Sequence, residues 1–109
     1  MRFKNKIKKI IKLIEDKKGE NTLILDLNGL TWITDYFIIT SGTSLIQTKA
    51  IAENIIENME ENPISVEGIE DGRWILIDYE EIIVHIFLEE TRNYYKLEKL
   101  WADAKEIKI

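Results

Sequence analysis

The sequence predicts a single α/β domain: a mixed five-stranded sheet flanked by helices, in the order α-β-β-α-β-β-β-α. The length of 109 residues is that of one domain of common size. Helix-like and strand-like patterns alternate along the chain. One helix separates two groups of strands, an arrangement typical of a mixed sheet covered by helices. We therefore treat residues 1–109 as one domain that begins with a basic helix at residues 1–18.

The first helix and the first two strands follow from residue spacing. Lys17 and Lys18 fall in the last turn of the predicted helix, and Gly19 is predicted to cap it. Residues 22–27 and 36–40 are β-rich runs, and the second is almost wholly apolar, which predicts an interior strand. The apolar positions at helical spacing are Phe3, Ile7, Ile10, Ile11 and Ile14.

The second helix is predicted to follow the turn at residues 42–44. Ser44 and Gln47 have the spacing of a capping box. Asn62 and Pro63 are predicted to stop the helix, because the residue before a proline avoids helical angles. The apolar face of this helix would consist of Thr48, Ile51, Ala52, Ile55, Ile56 and Met59.

The last part of the chain is predicted to contain three strands and a helix. Strands are expected at residues 64–67, 74–78 and 82–87, with a turn at residues 70–72. The final helix is expected to open with Glu89, Glu90 and Thr91. Its side chains at i, i+3 and i+7 would be Tyr94, Leu97 and Trp101.

A hairpin between the last two strands would collect aromatic and polar groups on one face. With Glu80 and Glu81 at its tip, Trp74 pairs with Phe87, and alternate side chains point the same way. A two-residue tip prefers Gly or Asn, so a four-residue loop with the same pairings remains an alternative. The shared face would hold Trp74, Leu76, Asp78, Ile83, His85 and Phe87.

The net charge of −5 is unevenly distributed. Residues 1–18 hold eight basic and two acidic groups, a net +6, and the other 91 residues carry −11. An acidic body attracts basic proteins, although the same charges could serve only solubility. No apolar run approaches the roughly 18 residues of a membrane span, and the start has neither a signal-peptide nor a transit-peptide pattern. The absence of cysteine suits a reducing compartment, and we expect a cytoplasmic protein.

Metal binding and nucleophilic catalysis find little support in the sequence. His85 has no second histidine to join it as a metal ligand, so it is interpreted as a hydrogen-bonded histidine of the sheet. Ser41 or Ser44 with His85 and Asp78 would form a Ser–His–Asp set, but the Gly-x-Ser-x-Gly spacing is missing. We expect no catalytic residue, no metal and no cofactor.

The more serious enzyme alternative is nucleotidyl transfer. Residues 41–44 end a strand and open a helix, so their backbone N–H groups could hold a phosphate or could form a simple turn and cap. Two-metal transfer also requires paired carboxylates on an adjacent strand. Asp78 stands alone, with Leu76 two residues before it, so the catalytic part of such a site is missing.

Two sets of exposed-type side chains have both structural and binding interpretations. Lys4, Lys8 and Lys12 form a stripe on the first helix that could touch RNA phosphates or could be its solvated face. The aromatic residues near the C-terminus could fill the core or anchor a protein interface. These aromatic residues are Trp74, Phe87, Tyr94, Tyr95 and Trp101.

Several short stretches, taken together in their order and spacing, carry a family resemblance. The first are Asp35-Tyr36-Phe37, Ser41-Gly42-Thr43-Ser44, Gln47 and Lys49-Ala50-Ile51-Ala52. The next are Val66-Glu67-Gly68, Trp74-Ile75-Leu76-Ile77-Asp78-Tyr79, Val84-His85-Ile86-Phe87 and residues 92–101. Over residues 23–104 the chain resembles the ribosomal silencing factor family (RsfS, Iojap-like).

The resemblance implies both a fold and a function. The family fold is similar to that of nucleotidyltransferases without their catalytic carboxylates. Its members bind the fourteenth protein of the large ribosomal subunit, prevent the small subunit from joining, and repress translation when nutrients are scarce. Organellar relatives assist assembly of the large subunit, and members also form homodimers. A large-subunit assembly factor therefore stands beside the nucleotidyltransferase-like enzyme as an alternative.

The family signature falls on eight residues of this chain. We hypothesise that Trp74, His85 and Trp101 supply apolar and stacking contacts, and that Asp78 and Glu98 face basic side chains of the ribosomal protein. Many members have Gly where this chain has Glu80, which affects the predicted hairpin tip. The eight positions are Trp74, Asp78, His85, Phe87, Tyr95, Leu97, Glu98 and Trp101.

Overall fold

The computed structural model describes residues 3–108, so the first two residues of the helix predicted at 1–18 lie outside it. Ten elements follow one another along this part of the chain. They are α1 (Lys4–Asp16), β1 (Glu20–Asp26), β2 (Tyr36–Gly42), α2 (Leu45–Asn58), β3 (Ser65–Glu67), β4 (Trp74–Asp78), β5 (Ile82–Leu88), α3 (Glu89–Tyr95), α4 (Leu97–Leu100) and β6 (Lys105–Glu106). None of the helices in this part of the chain is long and apolar enough to cross a membrane.

The strands form one sheet in the order β3-β4-β5-β2-β1-β6. β2 and β5 are parallel, and the other neighbouring strands are antiparallel. The predicted mixed α/β domain is therefore confirmed, with six strands among the described residues instead of the five expected. The predicted interior strand is also confirmed, because every residue of β2 is buried.

Helices α1 and α2 pack on the same face of the sheet and form its main core. Alternate residues of each strand point toward the helices, and on this helix-covered face these residues are apolar. The largest fully buried side chains at the contact include Ile7, Ile10, Ile14, Ile38, Ile51, Ile55, Ile75 and Ile77.

The end of α1 differs in detail from the prediction. The helix ends at Asp16, and Lys18, with φ of +62°, takes the left-handed conformation expected for Gly19. Gly19 donates its N–H to the Ile14 carbonyl at 3.0 Å, and Lys18 donates to Glu15 at 2.9 Å, which together satisfy the helix end. Gly19 is needed for space, because a Cβ there would overlap the Ile14 side chain.

The predicted start of α2 is confirmed, and its predicted end is wrong. Ser44 caps the helix by accepting the Gln47 N–H at 3.1 Å. The helix ends at Asn58, before the Pro63 stop, because Met59 has extended backbone angles. The Asn58 side-chain amide donates to the Asn54 carbonyl at 2.9 Å and so satisfies a carbonyl of the last turn.

The hairpin register of β4 and β5 is confirmed. Trp74 pairs with Phe87, and Leu76 pairs with His85. Tyr79 donates its N–H to the Ile82 carbonyl at 2.9 Å, which leaves Glu80 and Glu81 at the tip. Glu80 has a φ of +76°, a conformation that favours glycine.

The single final helix is a wrong prediction. Lys96, with φ of +50°, breaks the segment into α3 and α4, so Tyr94 is exposed while Leu97 is buried. The chain then returns to the sheet as β6, which pairs with β1 through Asp26 and Lys105. The sequence did not predict β6 because two charged residues carry no strand periodicity.

Candidate protein-binding face

The second face of the sheet is apolar and only partly covered by the chain. We call it the aromatic face. Helices α3 and α4 and the segment after them lie over part of it, leaving Trp74, Leu76 and Trp101 partly exposed. Its strand residues are Leu25, Phe37, Ile39, Trp74, Leu76, Ile83, His85 and Phe87, joined by Leu27 just after β1 and by Leu97, Trp101 and Ala104 from the C-terminal segment.

His85 lies at the centre of this face and is only 4% exposed. Its Nδ1 accepts a hydrogen bond from the Trp74 indole N–H at 3.1 Å, and the Phe37 ring lies edge-on with centroids 4.5 Å apart. The interpretation of His85 as a hydrogen-bonded sheet histidine is thus confirmed. Among residues 3–108, no group of three or more His, Cys, Asp or Glu side chains could hold a metal ion.

Burial lowers the pKa of His85 to about 4. The imidazole is therefore neutral at pH 7, and because Nδ1 is the acceptor, the proton lies on Nε2. Nε2 has no hydrogen-bond partner among the described residues, so this proton sits in an apolar setting. A charged imidazolium would be strongly disfavoured there, which couples the packing of the aromatic face to pH.

We expect this histidine to make the fold less stable in mild acid. The pKa of His85 is 6.5 in the unfolded chain and about 4 in the folded chain. Between these pH values the unfolded chain binds more protons, so the free energy of unfolding falls as pH falls through this window. The expected loss between pH 6.5 and pH 5 is about 2 kcal/mol. Urea unfolding at both pH values measures it. In His85→Asn, which keeps an acceptor for Trp74, this loss should be absent; an equal loss in both proteins would refute the assignment.

Tyr95 and Trp74 form an aromatic groove at the edge of the face. The Trp74 ring lies 4.8 Å from Phe87 and 5.1 Å from Tyr95, measured between ring centroids. Tyr95 is 54% exposed, and Tyr94 is more exposed still. Rings arranged in this way can stack on an apolar or cationic side chain. The groove has a volume of about 450 Å³ and is lined by Asp71, Arg73, Trp74, Glu90, Thr91, Tyr94 and Tyr95.

A buried arginine, which the sequence did not single out, positions α3. Arg92 is 7% exposed and donates from Nη1 to the Asn21 carbonyl at 2.7 Å and to the Ser41 hydroxyl at 3.3 Å. Its Nε faces Glu98 Oε1 at 3.4 Å. No sequence signal marks these partners, because Asn21 and Ser41 lie 71 and 51 positions away in the chain.

The predicted site residues divide into surface and supporting positions. Phe87 is fully buried, and His85 and Leu97 are nearly so, which leaves these three beneath the surface. The Trp101 ring is partly exposed and packs edge-on against Phe37, with 5.8 Å between centroids. The other surface members are Trp74, Asp78, Tyr95 and Glu98.

The two predicted carboxylates have contacts within the chain. Asp78 Oδ1 accepts the Glu80 N–H at 2.7 Å at the hairpin tip. Glu98 Oε1 faces Arg92, while its Oε2 has no hydrogen-bond partner in residues 3–108. Asp78 lies at the tip end of β4, and Glu98 lies in α4. They are therefore separate features of the face, and the free Oε2 atom of Glu98 is buried in this conformation.

Part of the turn considered as a phosphate cradle is already hydrogen-bonded within the protein. Gln47 Oε1 accepts the Thr43 N–H at 2.7 Å, and the Gln47 amide donates to the Lys17 and Lys18 carbonyls. Asp78 lies beside the start of β5, and the turn follows the end of the parallel strand β2. The seven-residue strand between them spans roughly 20 Å, so the two parts of a transfer site do not meet.

The fold and this face define a single-domain mixed α/β protein with one helix-covered side and one open aromatic side. The family model described as "Ribosomal silencing factor during starvation" matches residues 1–109. The chain therefore belongs to the RsfS family of ribosomal silencing factors, and the resemblance found in its sequence motifs is confirmed.

Individual relatives agree with this membership. The chain is 44% identical over 93 residues to the "Ribosomal silencing factor RsfS" of Bacillus subtilis, covering 83% of this chain and 79% of that protein. A crystal structure of a Chromobacterium violaceum protein superposes with a TM-score of 0.88 at 33% identity, covering 94% of this chain and 88% of that one. The mouse "Mitochondrial assembly of ribosomal large subunit protein 1" is 28% identical over 99 residues, covering 85% of this chain and 43% of that protein.

Proposed function

We propose that this chain binds the large ribosomal subunit through the fourteenth large-subunit protein, blocks joining of the small subunit and represses translation in the cytoplasm. The observation that carries the proposal is the match to the silencing-factor family over residues 1–109. The aromatic face supports it as the contact surface, because exposed Trp and Tyr rings on a packed base are the side chains that anchor protein interfaces.

In this proposal the surface members of the site touch the partner and the buried members hold them in place. Tyr95 and the exposed parts of Trp74 and Trp101 supply apolar contact. Asp78 and Glu98, whose side chains are partly exposed, face basic side chains of the ribosomal protein. The supporting residues are His85, Phe87 and Leu97. No catalytic step is assigned to the chain.

Co-sedimentation with isolated ribosomal subunits tests the proposal. We expect the protein to sediment with the large subunit and not with the small one, both at low and at physiological salt. Purified large subunits loaded with the protein should then fail to form complete ribosomes with added small subunits. Binding to neither subunit, or to both equally and only at low salt, would refute the proposal. Metal-dependent nucleotide binding would instead favour the enzyme alternative.

Side-chain variants locate the contact. Tyr95→Ala and Trp74→Ala should each weaken large-subunit binding by about thirtyfold or more, the effect of losing an interface hot spot. Tyr95→Ala is the cleaner test because its ring is half exposed, and Trp101→Ala extends the test to the other end of the face. Ile46→Ala is the matched control, since Ile46 is 83% exposed on α2. Normal binding by all folded aromatic variants would contradict the assigned face.

A second candidate function is assistance in large-subunit assembly, which the name of the mouse relative favours. Depletion of the protein in cells separates the two roles. Accumulation of immature large-subunit particles would indicate assembly, whereas complete subunits that join too readily under starvation would indicate silencing.

Two further features belong to the same proposal. Lys4, Lys8 and Lys12 are exposed along α1, on the opposite side of the sheet from the aromatic face, and would give a minor ribosomal RNA contact. A homodimer is also proposed, and sedimentation of the free protein over a range of concentrations would detect it. A stable dimer with no preference for either subunit would favour a plain oligomerisation module.

A further inference from the structure

The loop between β1 and β2 exposes apolar side chains that the fold does not use. Trp32 is 93% exposed, and its neighbours Ile33 and Leu30 are also largely exposed. Exposed large aromatic side chains in an ordered segment commonly mark an interaction site. Residues 28–35 lie at the end of the sheet where β2 and β5 begin, whereas the Tyr95 groove lies where these strands end.

Hydrogen bonds within the loop and to the hairpin tip support its conformation. Leu27 donates its N–H to the Asp35 carbonyl at 2.8 Å, and Leu30 donates to the Leu27 carbonyl at 3.0 Å. Ile33 donates to the Thr31 hydroxyl at 3.2 Å. The N–H of Asp35 reaches the Glu81 carbonyl at 3.2 Å, which ties the loop to the hairpin tip. Trp32 therefore projects from a hydrogen-bonded loop.

Carboxylates and one unsatisfied hydroxyl line a depression beside the exposed indole. An open depression of about 290 Å³ lies between the loop and the hairpin tip, lined by Trp32, Ile33, Thr34, Asp35, Glu80 and Glu81. Thr34 is nearly fully buried, yet its hydroxyl has no hydrogen-bond partner among the described residues.

The charge of this depression determines the kind of partner. Glu81 forms an ion pair with Lys6, but within residues 3–108 Asp35 and Glu80 form none. Two free carboxylates beside an indole face attract a cation, and they repel phosphates of RNA or lipid. The apolar neighbours add surface for an aliphatic side chain.

We propose that residues 28–35 and the hairpin tip form a docking surface for a basic protein segment. An Arg or Lys side chain of the partner enters the depression over Trp32, between Asp35 and Glu80. An adjacent apolar side chain packs on Ile33. This surface adjoins Asp78 at the tip end of the aromatic face but lies at the opposite end of the strands from the Tyr95 groove, and it does not depend on the function proposed for that face.

Titration of the full-length ¹⁵N-labelled protein with a defined peptide tests the inference. The probe is a twelve-residue peptide that repeats Gly-Arg-Leu-Arg, and the reference is the same peptide with Glu in place of Arg. At physiological salt we expect the Trp32 indole N–H and the amides of Asp35 and Glu80 to shift with the Arg peptide and not with the Glu peptide. Trp32→Ala should weaken binding roughly tenfold. Its fold should be unchanged, because the ring is almost fully exposed.

Matched variants separate a specific site from general charge attraction. Glu80→Gln should weaken binding severalfold, while Glu53→Gln and Ile46→Ala, both on the exposed side of α2, should not. Equal binding by Trp32→Ala, or equal binding of both peptides, would overturn the inference. The inference would also be overturned if the Trp32 indole signal shifted with anionic phosphatidylserine vesicles while no peptide bound. A protein dimer that Trp32→Ala abolishes would overturn it as well. Loss of this inference would leave large-subunit binding through Tyr95 untouched.

Discussion

Replacing Arg92 with methionine is expected to lower the free energy of unfolding by about 3 kcal/mol. The change removes both hydrogen bonds made by Nη1, to the Asn21 carbonyl and to the Ser41 hydroxyl. It also leaves the partly buried Glu98 carboxylate without its cation. Methionine keeps most of the apolar part of the side chain, so the loss in the free energy of unfolding measures the contribution of the polar contacts of Arg92. Urea unfolding monitored by circular dichroism measures the change.

Two comparisons make the Arg92 result specific. Arg73→Met removes an exposed ion pair with Asp71 and should cost less than about 1 kcal/mol. The double variant Arg92→Met with Glu98→Leu should recover part of the stability, because no unpaired carboxylate remains. If Arg92→Met is as mild as Arg73→Met, the buried contacts do not hold α3. Since α3 carries Tyr95, a destabilised α3 should also weaken large-subunit binding.

Replacing Gly68 with alanine is expected to cost about 3 kcal/mol, because two penalties act together. Gly68 has a φ of +77°, which L side chains avoid. A Cβ at this position would also overlap the backbone carbonyl oxygen of Trp74, which begins β4. The turn would have to open and shift Trp74 away from His85. Thermal or urea unfolding gives the loss in stability, and the Trp74 indole signal reports the shift.

Gly29 offers a matched control for this effect. Its φ of +86° is similar, but a Cβ there would meet nothing within 4 Å. Gly29→Ala should therefore cost only the backbone penalty, about 1 kcal/mol. The difference between the two variants isolates the clash with Trp74. Equal costs at Gly68 and Gly29 would show that the turn relaxes freely.

Local pattern was sufficient for much of the fold. The alternation of apolar residues predicted β4 and β5 with their register, and the Ser44 and Gln47 spacing predicted the start of α2. These features depend on residues close together in the chain. The errors came where the backbone departs from a regular repeat, as at Lys96, whose left-handed conformation divides the predicted last helix.

The candidate site was only partly predictable for a related reason. The hairpin register placed Trp74 and His85 on one face, and their hydrogen bond agrees with it. Trp32 was not singled out, although a large apolar residue in a turn-rich segment next to Gly29 could have signalled exposure. Arg92 could not have been found from spacing, because its partners come from two distant strands.

The sequence by itself determined the class of fold, the order of the main elements, the two faces of the hairpin and the membership of a family. Tertiary structure alone decided which of the aromatic residues stay exposed, how Arg92 is satisfied, and that the C-terminal segment returns to the sheet as β6. The physical reason is that the spacing of apolar residues along the chain indicates which side chains are buried on folding. Which distant groups meet depends on how the helices and strands pack against one another.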